Sequence, residues 1–400
     1  ANSLDGGYDT TDTYVELYAP VISPDMDIPF VDSLTLETSY RTMDNSRSGS
    51  DNAWALGVNY RPMEDLMVRA NVQRTVRAPA VSELFLPVVE VSAFGADPCD
   101  AVNRESGPNP AVRQANCDAE GIPADFASIA RNASRRGFQG GNENLGNEQA
   151  KSKNIGIIYS PSWAEGLQLA ADYVEIDITN AIVSFTLTDI MEACYDGLDY
   201  PNAFCGAFTR GADFQLPTNN AFTSGFVNAA LRTFRAIEYT ASYSTEVKEM
   251  PFVGEMLGDA GTFDIALRAY NLKKNATSNT GFDFTDTTGQ HNNPDWRSDI
   301  RIRHSIGDLT TLLDIEYSGE GARNVNQAND LQYIDQFGNP YTEIDSRTLV
   351  HLSANYSLTE NTMVRARIDN LLDWEPNAIE KGVGRWTYGQ SINVGFTTKF

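Results

Sequence analysis

The sequence has few basic residues and no long hydrophobic run, and each shortage excludes a class of protein. Among 400 residues, 30 are Lys or Arg and 54 are Asp or Glu, so the formal net charge is -24. An acidic surface repels phosphate, which excludes nucleic acid as a partner and anionic lipid headgroups as primary partners. No apolar segment approaches the roughly 20 residues of a membrane-spanning helix. Ala1 does not begin a signal peptide, so the sequence is either mature or starts partway through a longer protein.

Motifs for catalysis and metal binding are also lacking. The three histidines, His291, His304 and His351, do not have the spacing of metal ligands. Neither a GxSxG phrase nor a phosphate-binding P-loop is present. Paired acids are expected by chance in a chain with 54 of them. We therefore expect no enzymatic activity, no cofactor and no metal site built from these residues.

The four cysteines form two local pairs inside loop-like segments. Cys99 is close to Cys117, and Cys194 is close to Cys205. Such pairs predict two disulfides that staple loops, and hence an oxidising compartment. A metal site is the competing interpretation, which the absence of CxxC spacing and of a nearby histidine disfavours.

Alternation of apolar and polar residues with a period of two is abundant, and it predicts β-strands. In the last segment the even-numbered residues from Tyr388 to Phe400 are largely apolar, whereas the odd-numbered residues from Gly389 to Lys399 are small or polar. No helical period persists for long. About thirteen strands are predicted, near residues 10–20, 32–43, 52–62, 66–76, 150–161, 166–180, 232–247, 261–274, 296–306, 309–318, 346–358, 362–372 and 388–400.

The connections between these strands alternate in length. Short links such as RPMED, IGD and LTEN alternate with polar links, most of them long, at residues 77–149, 181–231, 275–295, 319–345 and 373–387. Short periplasmic turns on one side and long extracellular loops on the other are typical of outer-membrane barrels. The predicted fold is therefore all-β, an antiparallel transmembrane β-barrel.

A soluble β-sandwich or propeller is the alternative fold. Sandwich strands average ~5–6 residues, whereas the strands predicted here have nearer the ~9–11 residues that cross a bilayer at a tilt. One strand face also collects charged residues, for example Arg365, Arg367 and Asp369. This arrangement suits a wet or protein-filled lumen, so we favour the barrel.

The predicted number of strands is odd if long links are extracellular and the last strand ends in the periplasm. A single-chain bacterial barrel normally has an even number of strands. An open sheet edge in lipid would leave backbone donors and acceptors unpaired. We therefore expect other segments to complete the wall.

Several phrases, in order along the chain, resemble the barrel of TonB-dependent outer-membrane receptors. The first ends a strand with an Arg-Ala-Pro-x-x-x-Glu-Leu-Phe phrase, formed by Arg77, Ala78, Pro79, Glu83, Leu84 and Phe85. Residues 141–161 and 167–182 are similar to the family's Gly-Asn-x-Asn-Leu strand entry and to its Asp-Tyr-x-x-Ile strand. The last phrase contains Asp369, Asn370 and Leu371, and the chain closes on the aromatic Phe400.

The resemblance implies that residues 1–400 are the C-terminal portion of one receptor barrel, with about thirteen of about twenty-two strands. The family's coupling box, plug and early strands are not in this sequence, so we expect them from the same polypeptide or from a separate chain. Gly395 and Phe400 would belong to the terminal assembly signal. Thr398 departs from the pattern, because the family often has a second aromatic residue there.

The function implied is energy-coupled import of a scarce nutrient across the outer membrane of a Gram-negative bacterium. The implied partners are a TonB-type coupling protein, the barrel-assembly machinery, outer-membrane lipid and a small ligand. A passive porin-like channel, or a surface-binding adhesin barrel without a plug, is the alternative. A secreted β-protein that binds carbohydrate is a third hypothesis.

The residues themselves suggest what the motifs and loops do. Pro79 has no N–H to donate to a sheet, so the phrase around it should end a strand. Arg77 and Glu83 are expected to pair, and the following Leu-Phe is expected to anchor the loop.

Disulfides preorganise loops for binding. The candidate ligand contacts in these loops are Arg131, Arg135, Arg136, Phe138, Tyr195, Tyr200 and Phe204. The arginines suit an anionic ligand such as a ferric chelate, whereas the aromatic residues suit a sugar. The sequence leaves both open.

Overall fold

The computed structural model describes residues 3–250, 252–281, 283–322, 343–376, 380 and 389–399. Strands dominate these ranges, because an extended chain with period-two alternation directs its apolar side chains to one face. In chain order the strands are β1 (Thr10–Ile22), β2 (Ser33–Asn45), β3 (Gly49–Met63), β4 (Leu66–Arg77), β5 (Val89–Ala93), β6 (Arg135–Gly140), β7 (Glu148–Tyr159), β8 (Leu167–Ser184), β9 (Thr223–Glu246), β10 (Thr262–Ser278), β11 (Thr285–Asp286), β12 (Trp296–Ile306), β13 (Leu309–Ser318), β14 (Gly321–Ala322), β15 (Glu343–Ile344), β16 (Arg347–Thr359), β17 (Thr362–Asp369) and β18 (Ser391–Thr398).

Helices occupy short stretches between strands. The α-helices of the described ranges are α1 (Val81–Phe85), α2 (Pro110–Ala119), α3 (Leu187–Tyr195) and α4 (Val253–Leu257). Single 3-10 turns form at Pro24–Met26, Ile129–Arg131, Ala203–Ala207 and Val247–Glu249. In the part of the chain that is described, no helix has the length and apolarity needed to cross a membrane.

Thirteen of the strands form one continuous antiparallel wall, which confirms the predicted number. Its order is β1-β2-β3-β4-β7-β8-β9-β10-β12-β13-β16-β17-β18. Each wall strand pairs with the next wall strand along the chain, in an up-and-down arrangement. Among the described residues, β1 and β18 are the two ends of this path.

Three wall strands are longer than the alternation predicts. β8 reaches Ser184, β9 begins at Thr223 and β10 reaches Ser278. Their extra residues pair with each other, as Val183 does with Val227, so backbone hydrogen bonds maintain the strands where the alternation has ended. The sequence also does not predict the short strands β5, β6, β11, β14 and β15, which lie inside polar loops.

One face of the wall is apolar. Leu36, Val58 and Ala70 lie opposite one another on neighbouring strands and therefore share this face. Large apolar side chains on it are strongly exposed, for example Val15 (63%), Leu17 (60%), Ile392 (68%), Val394 (75%) and Phe396 (79%). Continuous exposure of this kind is typical of a lipid-facing surface.

The opposite face of the wall is polar and charged. One row crosses four strands, from Arg301 to Asp314, His351 and Asp369. Arg301 Nε donates to Asp314 Oδ1 at 2.9 Å, and His351 Nδ1 lies 2.9 Å from Asp369 Oδ1. A cleft of about 460 Å³ opens on this face beside Arg268. The charged residues that alternate inside strands therefore share one side of the sheet.

The two ends of the wall differ in their connections. At one end, residues 64–65, 307–308 and 360–361 form two-residue turns, and residues 23–32, 160–166 and 247–261 form longer links. At the other end lie the long connections, at residues 78–147, 185–222, 279–295, 319–346 and 370–390. The link at residues 46–48 is a short exception at that end. Much of the predicted loops 319–345 and 373–387 lies outside the described residues.

The phrase Asp369-Asn370-Leu371 ends β17 through a tight turn. Asn370 has a φ of 53°, in the left-handed region, and is 2% exposed. Its side chain accepts a hydrogen bond from Trp374 N at 2.9 Å and donates one to Trp374 O at 2.8 Å. Asparagine tolerates this backbone conformation better than most residues, so the motif directs the chain out of the wall.

The last strand carries part of the predicted assembly signal. Gly395 lies in β18 opposite Arg365, on the polar face. Phe400 lies outside the described residues. The fold is the predicted all-β wall, antiparallel except for a short parallel pairing of β6 with β9.

Candidate functional site in the long loops

Residues 77–85, which contain the Arg-Ala-Pro-x-x-x-Glu-Leu-Phe phrase, fix the base of the first long loop. Arg77 lies 3.1 Å from Glu83, the partner that the sequence predicts, and it also contacts Glu148 at the start of β7. Ala78 follows β4, and the buried Pro79 has no N–H to donate to a neighbouring strand. Pairing of β4 therefore ends at this phrase.

Leu84 and Phe85 anchor the same root, as predicted. Leu84 is 2% exposed and packs against Leu145 and Ile182. Phe85 packs against this cluster, and the Arg47 guanidinium lies 5.2 Å from the centre of its ring. The loop therefore leaves the wall in a defined direction.

Residues 78–147 and 185–222 fold together, and we call them the loop unit. Both predicted disulfides are present, with Cα–Cα distances of 5.7 Å for Cys99–Cys117 and 4.9 Å for Cys194–Cys205. Each bridge lies within one loop and spans 18 or 11 positions. Closing loops of this size stabilises each of them by ~3 kcal/mol, through the lower entropy of the unfolded segment.

Local sequence sets where the two larger helices of the loop unit begin. Asn109 accepts a hydrogen bond from Val112 N, and Pro110 occupies the first position of α2. Thr186 and Asp189 form a capping box at the start of α3. Each helix thus starts at a defined residue, which directs its cysteine into the interior.

An apolar core fills the loop unit. Its largest cluster includes Leu187, Ile190 and Met191, which share one face of α3. Phe185 stacks on Phe204 at a ring-centre distance of 5.2 Å. These loops are therefore packed like a small domain.

Two buried ion pairs join the loops in opposite directions. Arg113, from the first loop, forms a bidentate pair with Asp196 of the second. Arg210, from the second loop, donates from both terminal nitrogens to Asp97 of the first, at 2.8 Å each. All four side chains are 4% exposed or less. Breaking such a pair leaves an uncompensated buried charge, so the two loops are held as one body.

Tyr195 connects one ion pair to the aromatic residues around it. Its hydroxyl contacts Glu120 and accepts a hydrogen bond from Arg210 Nε at 2.8 Å. Burial raises the pKa of Tyr195 above its usual range, and Glu120 adds to the effect. Tyr200 stacks on this ring at 5.8 Å, and burial together with Glu120 raises its pKa to about 12. Both phenols are therefore neutral donors at physiological pH.

Glu192 of α3 lies where three loops meet. Its Oε1 is 3.5 Å from Arg113 Nη2. Burial raises the pKa of Glu192 to about 7, because desolvation outweighs the attraction of Arg113, and Asp196 and Asp283 add repulsion. Asp283 belongs to the loop of residues 279–295. This carboxyl group therefore changes charge near neutral pH.

The match to known proteins covers most of the chain. A family model described as TonB dependent receptor-like, beta-barrel matches residues 2–371. The chain belongs to this family. It is a family of outer-membrane receptors, and the polar and apolar faces of the wall are those of such a barrel.

Solved structures of TonB-dependent receptors share the fold. The siderophore receptor PirA from Acinetobacter baumannii is 15% identical, with a TM-score of 0.59 over 99% of this chain and 47% of that chain. The ferric enterobactin receptor PfeA from Pseudomonas aeruginosa, a mutant in complex with enterobactin, is 16% identical, with a TM-score of 0.55 over 97% of this chain and 46% of that chain. The chain spans about half the length of these proteins. Comparison with curated proteins gives no match.

Three of the predicted ligand contacts of this TonB-dependent receptor barrel are open to solvent. The side chains of Arg131 and Arg136 are 43% and 59% exposed, and their ion pairs with Asp100 and Glu90 are long, at 3.6 and 3.8 Å. Phe138, on β6, is 37% exposed. These residues can reach a ligand, and that role stays a prediction.

The other predicted contacts lie within the loop unit. Tyr195 is fully buried, and Arg135 is 4% exposed. Tyr200 and Phe204 are half-buried and stack on core aromatic rings. The structure thus brings the predicted aromatic residues Tyr195, Tyr200 and Phe204 together inside the packed loop unit, apart from the exposed arginines. That these aromatic residues bind a sugar stays a prediction as well.

Sequence reasoning missed the four residues that join the two loops. In a chain with 54 acids, Asp97, Arg113, Asp196 and Arg210 do not stand out. Each lies within five positions of a cysteine. A disulfide restrains the backbone beside it, so charged residues near a disulfide are well placed to form buried ion pairs. Their closeness to the cysteines is the one sequence feature that could have indicated these four residues.

Proposed function

We propose that this chain forms much of the wall and of the outward face of an outer-membrane receptor that imports a scarce small nutrient by energy-coupled transport. The family match over residues 2–371 carries the proposal. The apolar face of the wall suits lipid, and the stapled loop unit supplies a preorganised surface at one end of it. A ferric siderophore is the leading nutrient class, because PirA is a siderophore receptor and PfeA was solved with enterobactin. A carbohydrate is the second.

In this proposal the long loops are extracellular and the short turns are periplasmic. Residues 1–400 are the C-terminal portion of one barrel. The unequal connections at the two ends of the wall support this orientation, since outer-membrane barrels have short periplasmic turns. The loop unit then faces the medium from which the nutrient is taken.

Further protein segments are part of the proposal. The strands β1 and β18 end the described wall, and a sheet edge in lipid needs a partner for its backbone groups. The charged inner face, with Arg301 and Asp314 beside an open cleft, supports contact with a polar plug. A TonB-type protein would couple energy through that plug, and the assembly machinery would insert the barrel.

Uptake by living cells tests the proposal. Cells whose sole receptor is the full-length protein should accumulate a radiolabelled ferric siderophore from a panel that also contains oligosaccharides. A protonophore, or deletion of the TonB-type protein, should abolish accumulation. Uptake that survives both treatments would indicate a passive channel, and binding without uptake would indicate an adhesin. Uptake of oligosaccharides alone would reassign the nutrient and keep the mechanism.

A further inference from the structure

A four-residue phrase, an apolar residue followed by Pro-Phe-Val, occurs twice in the sequence. The first copy is Ile28-Pro29-Phe30-Val31, and the second is Met250-Pro251-Phe252-Val253. One copy lies in the link of residues 23–32 and the other in the link of residues 247–261, both at the end of the wall that has the two-residue turns. The same short sequence therefore marks two of the three longer links at that end.

The phenylalanine of each copy has a backbone conformation that bulky residues rarely adopt. Phe30 has a φ of 64° and Phe252 has a φ of 63°, both in the left-handed region. Val31 N donates to Ile28 O at 3.1 Å, so Phe30 occupies the third position of a tight turn, where glycine or asparagine is favoured. Backbone strain of this kind is concentrated at functional sites.

The side chains of both phenylalanines are open to their surroundings. Phe30 is 87% exposed and Phe252 is 83% exposed, so packing against the described residues covers little of either ring. Met256, four positions after Phe252 on the same face of α4, is 84% exposed. Trp163, in the link of residues 160–166, is 76% exposed. Each of the three longer links thus presents a large apolar side chain.

Hydrogen bonds tie two of these links to the apolar face of the wall. Tyr60 shares that face with Val58, because the two are two positions apart on β3. Its hydroxyl donates to Phe30 O at 2.8 Å. Trp163 Nε1 donates to the hydroxyl of Tyr159 at 3.3 Å, and the pairing of β7 with β4 places Tyr159 on the same face.

The third link is tied to the apolar face as well. His304 is three positions after Arg301 on β12, so it lies on the face opposite to that charged residue. His304 Nε2 lies 2.7 Å from Ala260 O, in the link of residues 247–261. All three links therefore adjoin the surface that faces lipid.

The distance between the two phrases indicates what covers them. Their links are six strand positions apart in the wall order, which is roughly 30 Å along the sheet. A single small domain is about that wide, and it would have to span the whole apolar face to reach both. A lipid leaflet follows this face and reaches all three links at once.

We propose that the three longer links are membrane anchors, which insert Phe30, Trp163, Phe252 and Met256 into the interfacial layer of the lipid leaflet on their side. Removing these side chains from water there is favourable. The anchors differ from the girdles of aromatic residues that barrel strands carry at both interfaces, because their side chains project from links outside the sheet. The inference rests on the proposed function only for the identity of the leaflet, which is periplasmic in the proposed orientation.

Photocrosslinking in living cells identifies what the rings contact. Full-length protein with the photoreactive analogue p-benzoylphenylalanine in place of Phe30 or Phe252 keeps an aromatic ring at each position. Irradiation should give covalent adducts with phospholipid, detected by mass spectrometry of the purified protein. The matched control has the analogue in place of Asp308, in a two-residue turn at the same end, and should give roughly tenfold fewer lipid adducts.

Hydrogen exchange in lipid nanodiscs separates insertion from a role in folding. The double variant Phe252→Asn with Met256→Gln removes both apolar side chains, and asparagine tolerates the positive φ. Amides of residues 252–261 should exchange roughly tenfold faster in this variant than in wild type, because the link is no longer held in the leaflet. Amides of the wall strands β16 and β17 should not change.

Three results would overturn the inference. These are adducts with a protein in place of lipid, lipid adducts no more abundant than at Asp308, and exchange in the double variant that is unchanged or is accelerated equally in the wall. Failure of the proposed orientation has a different signature. Adducts with a glycolipid of the outer leaflet would support insertion and would contradict the periplasmic placement of these links.

Discussion

Breaking the ion pair between Arg113 and Asp196 should open the loop unit and leave the wall intact. Arg113→Gln leaves the Asp196 carboxylate, whose side chain is 0% exposed, without its bidentate partner. Removing one member of a buried pair costs about 3–5 kcal/mol. Because each ~1.4 kcal/mol is a factor of ten, the opening equilibrium of the loop unit should rise roughly 100-fold or more.

Native-state hydrogen exchange measured by mass spectrometry reads this opening directly. In Arg113→Gln, amides of α2 and α3 should exchange roughly 100-fold faster, and amides of the wall strands β16 and β17 should not change. The matched control is Arg131→Gln, since that side chain is 43% exposed and its ion pair is 3.6 Å long. An exposed pair contributes about 0–1 kcal/mol, so the control should change exchange less than about fivefold.

Two outcomes would refute the reasoning about the joined loops. One is equal exchange in Arg113→Gln and Arg131→Gln, and the other is equal acceleration in the wall. The double variant Arg113→Met with Asp196→Leu adds a sharper test. It removes both charges, so its loop unit should be better protected than that of either single variant.

Three further predictions follow from the loop unit and the wall. The pKa of Glu192 is raised from its usual 4.5 to about 7, so the contribution of this group to stability is full below about pH 4.5 and is lost as the pH rises through 7. The hydrogen-exchange protection of α3 should therefore decline between about pH 5 and pH 8 in wild type, and Glu192→Gln should flatten that decline. An identical decline in both proteins would contradict this prediction. Replacing Cys99 and Cys117 together by Ser should lower the opening free energy of α2 by ~3 kcal/mol in the same exchange experiment, whereas alkylation of unreduced wild type would show that the cysteines are not bonded. Nitroxide labels at Ile392 and Val394, in lipid vesicles, should be accessible to oxygen and protected from water-soluble nickel, and the reverse result would exchange the two faces of the wall.

The wall could be predicted from the sequence because its signals are local. Period-two alternation depends on a few consecutive residues, and a long strand such as β16 carries enough of them to define both a face and a boundary. The disulfides follow the same logic, since their cysteines are 18 and 11 positions apart. The pair Arg77 and Glu83 is also local, with six positions between donor and acceptor.

Only the tertiary structure decided which loop residues act together. The ion pairs Arg113–Asp196 and Arg210–Asp97 join residues 83 and 113 positions apart, and nothing local marks them as partners. The sequence by itself identified Arg135 as a basic loop residue, equal to its neighbour Arg136. Burial made the difference, because a charge in water needs no partner, whereas a charge packed inside a folded unit does. Strand alternation thus determined the wall, and desolvation on folding decided which charged loop residues form buried ion pairs.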